Sequence, residues 1–349
     1  MNRGIVYALA ASALFGASTP LARALIGALD PLWLAGLLYA GSGIGLSIAL
    51  AVRHWTAVGR HRHVAAIAPG DRRWLAAAVI AGGVVAPLFF TFGLRDTSGA
   101  TASLLLNLET VFTVIVAWFV FGEHRNARVV TGMALIVIAC GLLAGGDGFE
   151  GINRGALLIA AACLFWALDN NLTRIVAAND AMLVAAAKGV TGGAVNMTLA
   201  AVLAGSAPPP LASLATGVVG LLGYGVSLVL FILALRELGV ARASAYFSTA
   251  PFIGVAIAFG LLGEQPGSTF WMALPLMAIG VWLHLSERHA HLHAHERFAH
   301  EHSHAHDEHH RHAHAFPWDG TEPHTHPHEH EPLAHAHPHF PDLHHRHEH

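Results

Sequence analysis

Three ionisable side chains stand where the sequence is otherwise apolar. Glu109 lies in SLLLNLETVFTVIVAWFVFGE (103–123), Asp169 in LFWALDNNLTR (164–174), and Lys188, the single lysine of the chain, in AMLVAAAKGVTGG (181–193). A charged group at the centre of a hydrocarbon layer costs at least about 2.5–3.5 kcal/mol on insertion scales, so such residues face a cavity or a partner. Desolvation also disfavours the ionised form of a carboxyl, which suits it to taking up and releasing a proton. Glu109 and Asp169 are therefore candidates for proton binding or exchange. Asn170, Asn171 and Lys188 are candidates for contacting a polar solute. Asp169 and Thr173 are four apart and share a helix face.

Each of these residues has a plainer reading. Glu109 could pair with a basic residue and staple helices together. Lys188 could send its ammonium to the membrane surface along its own stem, or turn it inward as an anion contact or as the partner of Glu109. The asparagines could bond across helices for packing alone, at a modest ~0.6 kcal/mol per contact. Arg23 stands near the end of an apolar run and is expected to reach for the surface; Asn196 and Tyr224 are weaker candidates for a lining.

A second chemistry sits at the C-terminal end. From His289 the chain alternates histidine with small, acidic or proline residues, and 23 of its 28 histidines fall in this segment. Neutral imidazole favours divalent zinc, copper, nickel and iron. His289, His291, His293, His295, His300, His302, His304 and His306 open this series and are candidate ligands for zinc, nickel, cobalt or copper. No cofactor is required by any other feature. The tail has no apolar periodicity with which to build a core and is expected to be disordered, residues 289–349 forming a metal-binding appendage.

The elements that would position the polar residues are long and apolar. More than half of the chain is hydrophobic and 12% is charged, against about 25% in soluble domains. Ten apolar runs occur, at about 5–27, 31–52, 74–94, 99–121, 129–145, 155–177, 181–204, 213–235, 241–262 and 268–286. Each is near the length of about 20 residues that a spanning helix needs, and none has the polar stripe of a helix facing water. The first could be taken for a secretory leader, but it has an internal counterpart. Cys140 and Cys163 lie inside spans with no redox or metal spacing and read as packing residues. No phosphate-binding glycine loop, nucleotide fingerprint or nucleophile–base arrangement is present, so no enzyme is expected.

GLRDTSGATASLLLNLETVFTVIVAWFVFGE (93–123) aligns without a gap over ALRELGVARASAYFSTAPFIGVAIAFGLLGE (234–264), at an offset of 141 residues. Looser echoes pair LFGASTPLAR with LFWALDNNLTR, and GMALIVIACGL with WMALPLMAIGV. The fold class expected is thus an all-α membrane protein with two copies of a five-helix unit, residues 1–147 and 148–288. An odd number of spans per copy makes the repeat inverted, an arrangement of secondary transporters with the site between the halves near the midplane. With the N-terminus inside, the inner loops and ends carry twelve arginines and the outer loops only Arg95 and Arg154. That bias puts both termini in the cytoplasm.

The ten-span layout, the LFGASTPLAR opening and the two GLR/ALR…GE blocks resemble the EamA-type transporters of the drug/metabolite transporter superfamily, over roughly residues 5–286. The resemblance implies an inner-membrane carrier with a central cavity, commonly an exporter of metabolites, amino acids or drugs. Members usually have a proline after a small residue in the middle of the fourth span. The second half keeps this as Ala250-Pro251; the first has Glu109-Thr110 instead.

The expected function is proton-coupled secondary transport, as an exporter of a small polar metabolite, with the tail regulating it. Transport of nickel, cobalt or zinc with a buffering tail is the alternative, and a membrane-anchored metal buffer or sensor is a third reading. The partners expected are the lipid bilayer and the solute, with a homodimer as an option and no nucleic acid.

Overall fold

The chain is seen here in a computed structural model, which describes residues 3–56, 69–121, 127–146, 153–176, 180–286, 290–295, 298–304, 324–330 and 333–338. The described residues up to 286 are helices and their short connections, as runs of Ala, Leu, Val and Gly with no polar face require when the backbone must satisfy its own hydrogen bonds. The helices are α1 (Arg3–Leu25), α2 (Pro31–Thr56), α3 (Arg72–Ala78), α4 (Ala86–Arg95), α5 (Gly99–Leu105), α6 (Asn107–Phe121), α7 (Ala127–Gly145) and α8 (Arg154–Ile175). They continue as α9 (Ala181–Leu203), α10 (Pro210–Gly220), α11 (Ser227–Phe247), α12 (Ala250–Gly260) and α13 (Ser268–Leu285). A π-helical stretch, Val79–Val85, joins α3 to α4, and another, Leu221–Val226, joins α10 to α11. At the offset of the sequence repeat, these two π-turns coincide within one residue.

Among the described residues, seven helical stretches are long and apolar enough to cross a membrane, by length and composition. The other three expected spans are helical as well, with differences. Helix α9 is 23 residues long but carries Lys188, Thr191, Asn196 and Thr198. The ninth run is broken at Ser248–Thr249, leaving the 11 residues of α12. Helix α13, 18 residues with Pro275 inside, is apolar and stands at the lower limit of length. A further difference is at 236–241, expected as a loop. The backbone there stays helical within α11, yet Phe231 and Phe247 meet with ring centroids 4.6 Å apart, so the helix turns back on itself.

Packing follows the repeat. Helix α1 packs on α11 and α12; its counterpart α8 packs on α4 and α6; α2 packs on α9 and α7 on α13. Glycines permit the close approaches: Gly43 and Gly189 put the backbones of α2 and α9 in contact, and Gly280 lies on Gly132 of α7. Small residues let helices approach where lipid supplies no hydrophobic driving force. Large apolar side chains, among them Ile44, Ile48, Phe119, Leu211, Trp271 and Trp282, remain exposed on the outside, as suits a surface solvated by hydrocarbon. The two ends of α1 meet different loops. Gly4 abuts Glu237 and Leu238, whereas Pro20 abuts Gly99 and the Arg23 Nε donates to the Thr97 carbonyl at 2.8 Å. Arg23, expected to reach for the surface, is thus tied to the neighbouring turn.

Residues 288–349 form a separate unit. Its described residues pair as two antiparallel strand pairs, Ala290–His295 with Leu333–Pro338 and Phe298–His304 with His324–His330. Alternation of period two is the strand repeat, and backbone pairing needs no apolar periodicity. His289 and His306 lie outside the described residues; for His291, His293, His295, His300, His302 and His304 only the backbone is described.

Candidate functional site

The site begins where the fourth run breaks. Helix α5 stops at Leu105, Leu106 forms a turn, and α6 restarts at Asn107. Asn107 donates its side-chain amide to the Leu104 carbonyl at 3.0 Å, satisfying an acceptor at the broken end. Glu109 falls in the first turn of α6, where free amide groups favour negative charge. The second copy breaks at the matching place, Ser248–Thr249, and restarts with Ala250-Pro251. Discontinuous helices of this kind are tolerated at membrane depth only where protein or a cavity surrounds them.

Helix α8 faces this break with Asp169, Asn170 and Asn171, and the 100° step sends the three apart. Asn170 turns to α6, its Nδ2 donating to Glu109 Oε1 at 2.7 Å. Asp169 turns to α9, where Lys188 Nζ donates to both carboxylate oxygens, at 2.7 Å to Oδ1 and 2.6 Å to Oδ2, and to Thr173 Oγ1 at 3.3 Å. Thr173 donates to Asp169 Oδ1 at 2.9 Å. Asn171 donates to the carbonyls of Ala167 at 2.8 Å and Thr113 at 3.3 Å. It holds α8 to α6 and is buried.

Lys188 therefore closes on Asp169, not on Glu109, and does not reach the surface. Its side chain is 14% exposed and that of Asp169 7%. The reason is geometric: α8 and α9 both pack against the π-helical stretch Val79–Val85, where Gly82 lies on Asp169 and Gly83 on the Lys188 backbone, so the two side chains meet across it. Glu109 is within electrostatic range of both members of the pair but bonds an amide rather than a cation. It is half-buried, with Asn170 and Thr110 exposed beside it, and Tyr39, Tyr224 and Cys163 lie within its electrostatic range. At the helix break, then, the Glu109 carboxylate is enclosed on one side by protein and open on the side of Thr110 and Asn170.

Several residues of the site were not singled out from the sequence. The π-turn between α3 and α4 presents carbonyls to side chains of other helices, a common use of such turns at functional sites. The Gly82 carbonyl accepts from Tyr39 Oη at 2.5 Å and from Trp166 Nε1 at 3.2 Å, and the Gly83 carbonyl accepts from Asn196 Nδ2 at 3.1 Å. Gly82 is pressed against the Asp169 carboxylate, so any side chain there would displace the acid. Tyr39 and Tyr224 face each other at 5.6 Å between centroids. The signal for this was the Gly82-Gly83 pair inside a span, matched by Gly223-Tyr224 in the second copy.

A multi-pass helical membrane bundle with a broken helix and a polar centre is the architecture of a small-molecule carrier. Residues 2–145 and 153–286 each match the EamA-like transporter family, and the chain belongs to that family. It is similar to an uncharacterized transporter of Methanothermobacter thermautotrophicus, 29% identical over 274 residues, covering 75% of this chain and 80% of the relative. It is also similar to a probable terminal-alkyne amino-acid exporter of Streptantibioticus cattleyicolor, 27% identical over 51% of this chain and 61% of the relative. The uncharacterized inner membrane transporter YedA of Escherichia coli K12 is 24% identical over 54% of this chain and 62% of its own length. A solved crystal structure shares the fold at a TM-score of 0.60 and 18% identity, over 81% of this chain and 95% of that one. The protein is a membrane transporter of this family.

Proposed function

We propose that the chain is a proton-coupled secondary transporter, an exporter of a small polar metabolite, built as two inverted five-span halves in the inner membrane with both termini cytoplasmic. Support for the inversion comes from the repeat itself: the equivalent loops at 96–99 and 236–241 lie at opposite ends of α1. Glu109 carries the exchanged proton and Asn170 presents donor and acceptor groups to the solute. Asp169 and Lys188 form a second polar pair, from which Lys188 is drawn when the solute brings its own anionic group. Asn171 positions α8 against α6.

The observation that carries this reading is the accessible Glu109 carboxylate at a helix break, bonded only to an amide among the described residues. A cationic or amine-bearing solute and a proton would compete for it, which couples their movements. The Streptantibioticus relative's description as an amino-acid exporter is in keeping with such a solute. The test is uptake into proteoliposomes under an imposed pH gradient, screening amino acids first. Gradient-driven uptake lost in Glu109→Gln is expected. Unchanged gradient-driven uptake in that variant removes the proton role from Glu109. Divalent metal binding by the histidine-rich tail, as a regulator and not as cargo, completes the proposal.

A further inference from the structure

Away from the central site, one carboxylate makes a connection that the transport reading does not use. Glu264 follows α12, which ends with Gly263 in the left-handed conformation at φ 64°. The Glu264 amide donates back to the Ala258 carbonyl at 3.1 Å, so the backbone that presents its side chain is fixed by a helix-ending motif. Glu264 Oε1 accepts from the Gly99 amide and Oε2 from the Ala100 amide, both at 2.8 Å. These are the first two residues of α5, in the other copy of the repeat. Two charge-assisted bonds from one carboxylate to successive amides are directional and strong.

The same carboxylate is the outer end of a seal. Gly99, beneath Glu264, is pressed on Pro20 of α1; one turn further in, Gly254 of α12 touches Ser103 of α5; deeper still, Gly16 of α1 lies against the Ala250 carbonyl. Glycine or a small residue stands at each contact, so α1, α5 and α12 meet along their length from the helix break to one face. On that face, a recess of about 270 Å³ lies beside the latch, lined by chain neighbours of both its members, among them Asp96, Ser98, Thr101, Asn153, Gln265 and Thr269. Residues on both sides of the Glu264 contact thus already face water.

We propose that Glu264 is the latch of the outer gate. Its bonds to Gly99 and Ala100 hold α12 against α5 and α1 and close the outer half of the bundle, and their release opens the path from the recess towards Glu109. This rests on the transport reading above. A solute-gated carrier needs one contact between its halves that is strong when made and whose loss leaves no buried charge. Glu264 meets both needs, because it is already partly exposed and the recess lined by its neighbour Gln265 adjoins it, so its carboxylate is hydrated once released.

The experiment places a cysteine at Ser103, which is 1% exposed and lies one turn beneath the latch, and measures its rate of modification by a membrane-impermeant maleimide in intact cells. The parent chain, whose Cys140 and Cys163 are both buried, gives the background. Glu264→Gln keeps the shape but loses the charge and sets an amide donor against one of the two N–H groups, and Glu264→Ala removes both bonds. The modification rate is expected to rise about tenfold or more in both variants from the outer side. An unchanged rate overturns the proposal. So does an equal rise from both membrane faces, because Glu264 would then merely hold the fold together. Labelling is read without any solute, so a one-sided rise in a protein that moves nothing in proteoliposomes leaves the latch standing and removes the transport reading instead.

Discussion

Replacing Lys188 by methionine tests the central pair directly. The variant keeps the volume of the stem and removes the ammonium, and with it two bonds to Asp169 and one to Thr173. Asp169 would keep the Thr173 hydroxyl on Oδ1 and lose the ammonium on Oδ2, its one cationic contact among the described residues, at 7% side-chain exposure. Removing one member of a buried pair costs about 3–5 kcal/mol, because the other charge is left uncompensated. A bundle of this size loses about 2–4 °C of Tm per kcal/mol, so the expected shift is on the order of 10 °C. Thermal unfolding in detergent, followed by tryptophan fluorescence, measures it. The double variant Asp169→Leu/Lys188→Met removes both charges and should recover at least about 2 kcal/mol of the loss, since buried pairs are often no better than apolar replacements. Transport, by contrast, should stay lost in the double variant. A single variant costing under about 1 kcal/mol, or additive effects in the double, would refute the pairing and return Lys188 to the membrane surface.

Other perturbations have definite expectations. Gly82→Ala drives a methyl group into the Asp169 carboxylate and should cost about 1–3 kcal/mol together with transport, whereas Gly141→Ala, which meets nothing, should fall within about 0.5 kcal/mol of the parent. Tyr39→Phe deletes one of two donors to the Gly82 carbonyl and should lower stability by about 0.5–1.5 kcal/mol, read by the same unfolding assay. Deleting residues 289–349 should abolish retention on an immobilised-nickel column and leave proteoliposome transport intact. Loss of both would tie the tail to the carrier itself.

Much of the architecture could be read from composition and repetition. Eight of the ten expected apolar runs begin and end within a few residues of helix ends, because in lipid a hydrophobic run has no other way to satisfy its backbone. The reversal near 236–241 was legible as the polar gap Arg236, Glu237, Gly239 and Arg242 between two apolar runs, but not that helical hydrogen bonding continues through it. The break at Leu106 was silent: SLLLNLET contains neither glycine nor proline, and only its alignment with Ser248–Thr249 hints at it. Of the site residues, the spacing of Asp169 and Thr173 gave their contact correctly, since four residues always share a helix face. The partner of Lys188 was not legible, because which acid it meets depends on how α8 and α9 lie together, and no periodicity within one helix contains that. Tyr39 and Trp166 were missed for a related reason: their roles are set by a π-turn carbonyl on a third helix.

The two copies have kept different things. The π-turns and the mid-span breaks recur at equivalent places in both, so backbone discontinuity has been preserved where the helices must part or bend. The side chains at those places have not. Glu109 in the first copy stands where the second has Ala250, and Gly82 lies under an acid where Gly223 lies under Ser18. An inverted pair of identical halves would put two equivalent acids across the midplane, and each would see the other's charge. Here a single acid on α6 faces polar groups supplied by α8 and α9 of the other half. Under the proposed mechanism this asymmetry sets the coupling ratio: with one exchangeable carboxylate at Glu109 and the second acid already neutralised by Lys188, one proton is exchanged per solute. Flux measured against graded pH gradients in proteoliposomes should therefore reverse where one proton balances one solute, and a reversal point requiring two would show that Asp169 releases its lysine and titrates as well.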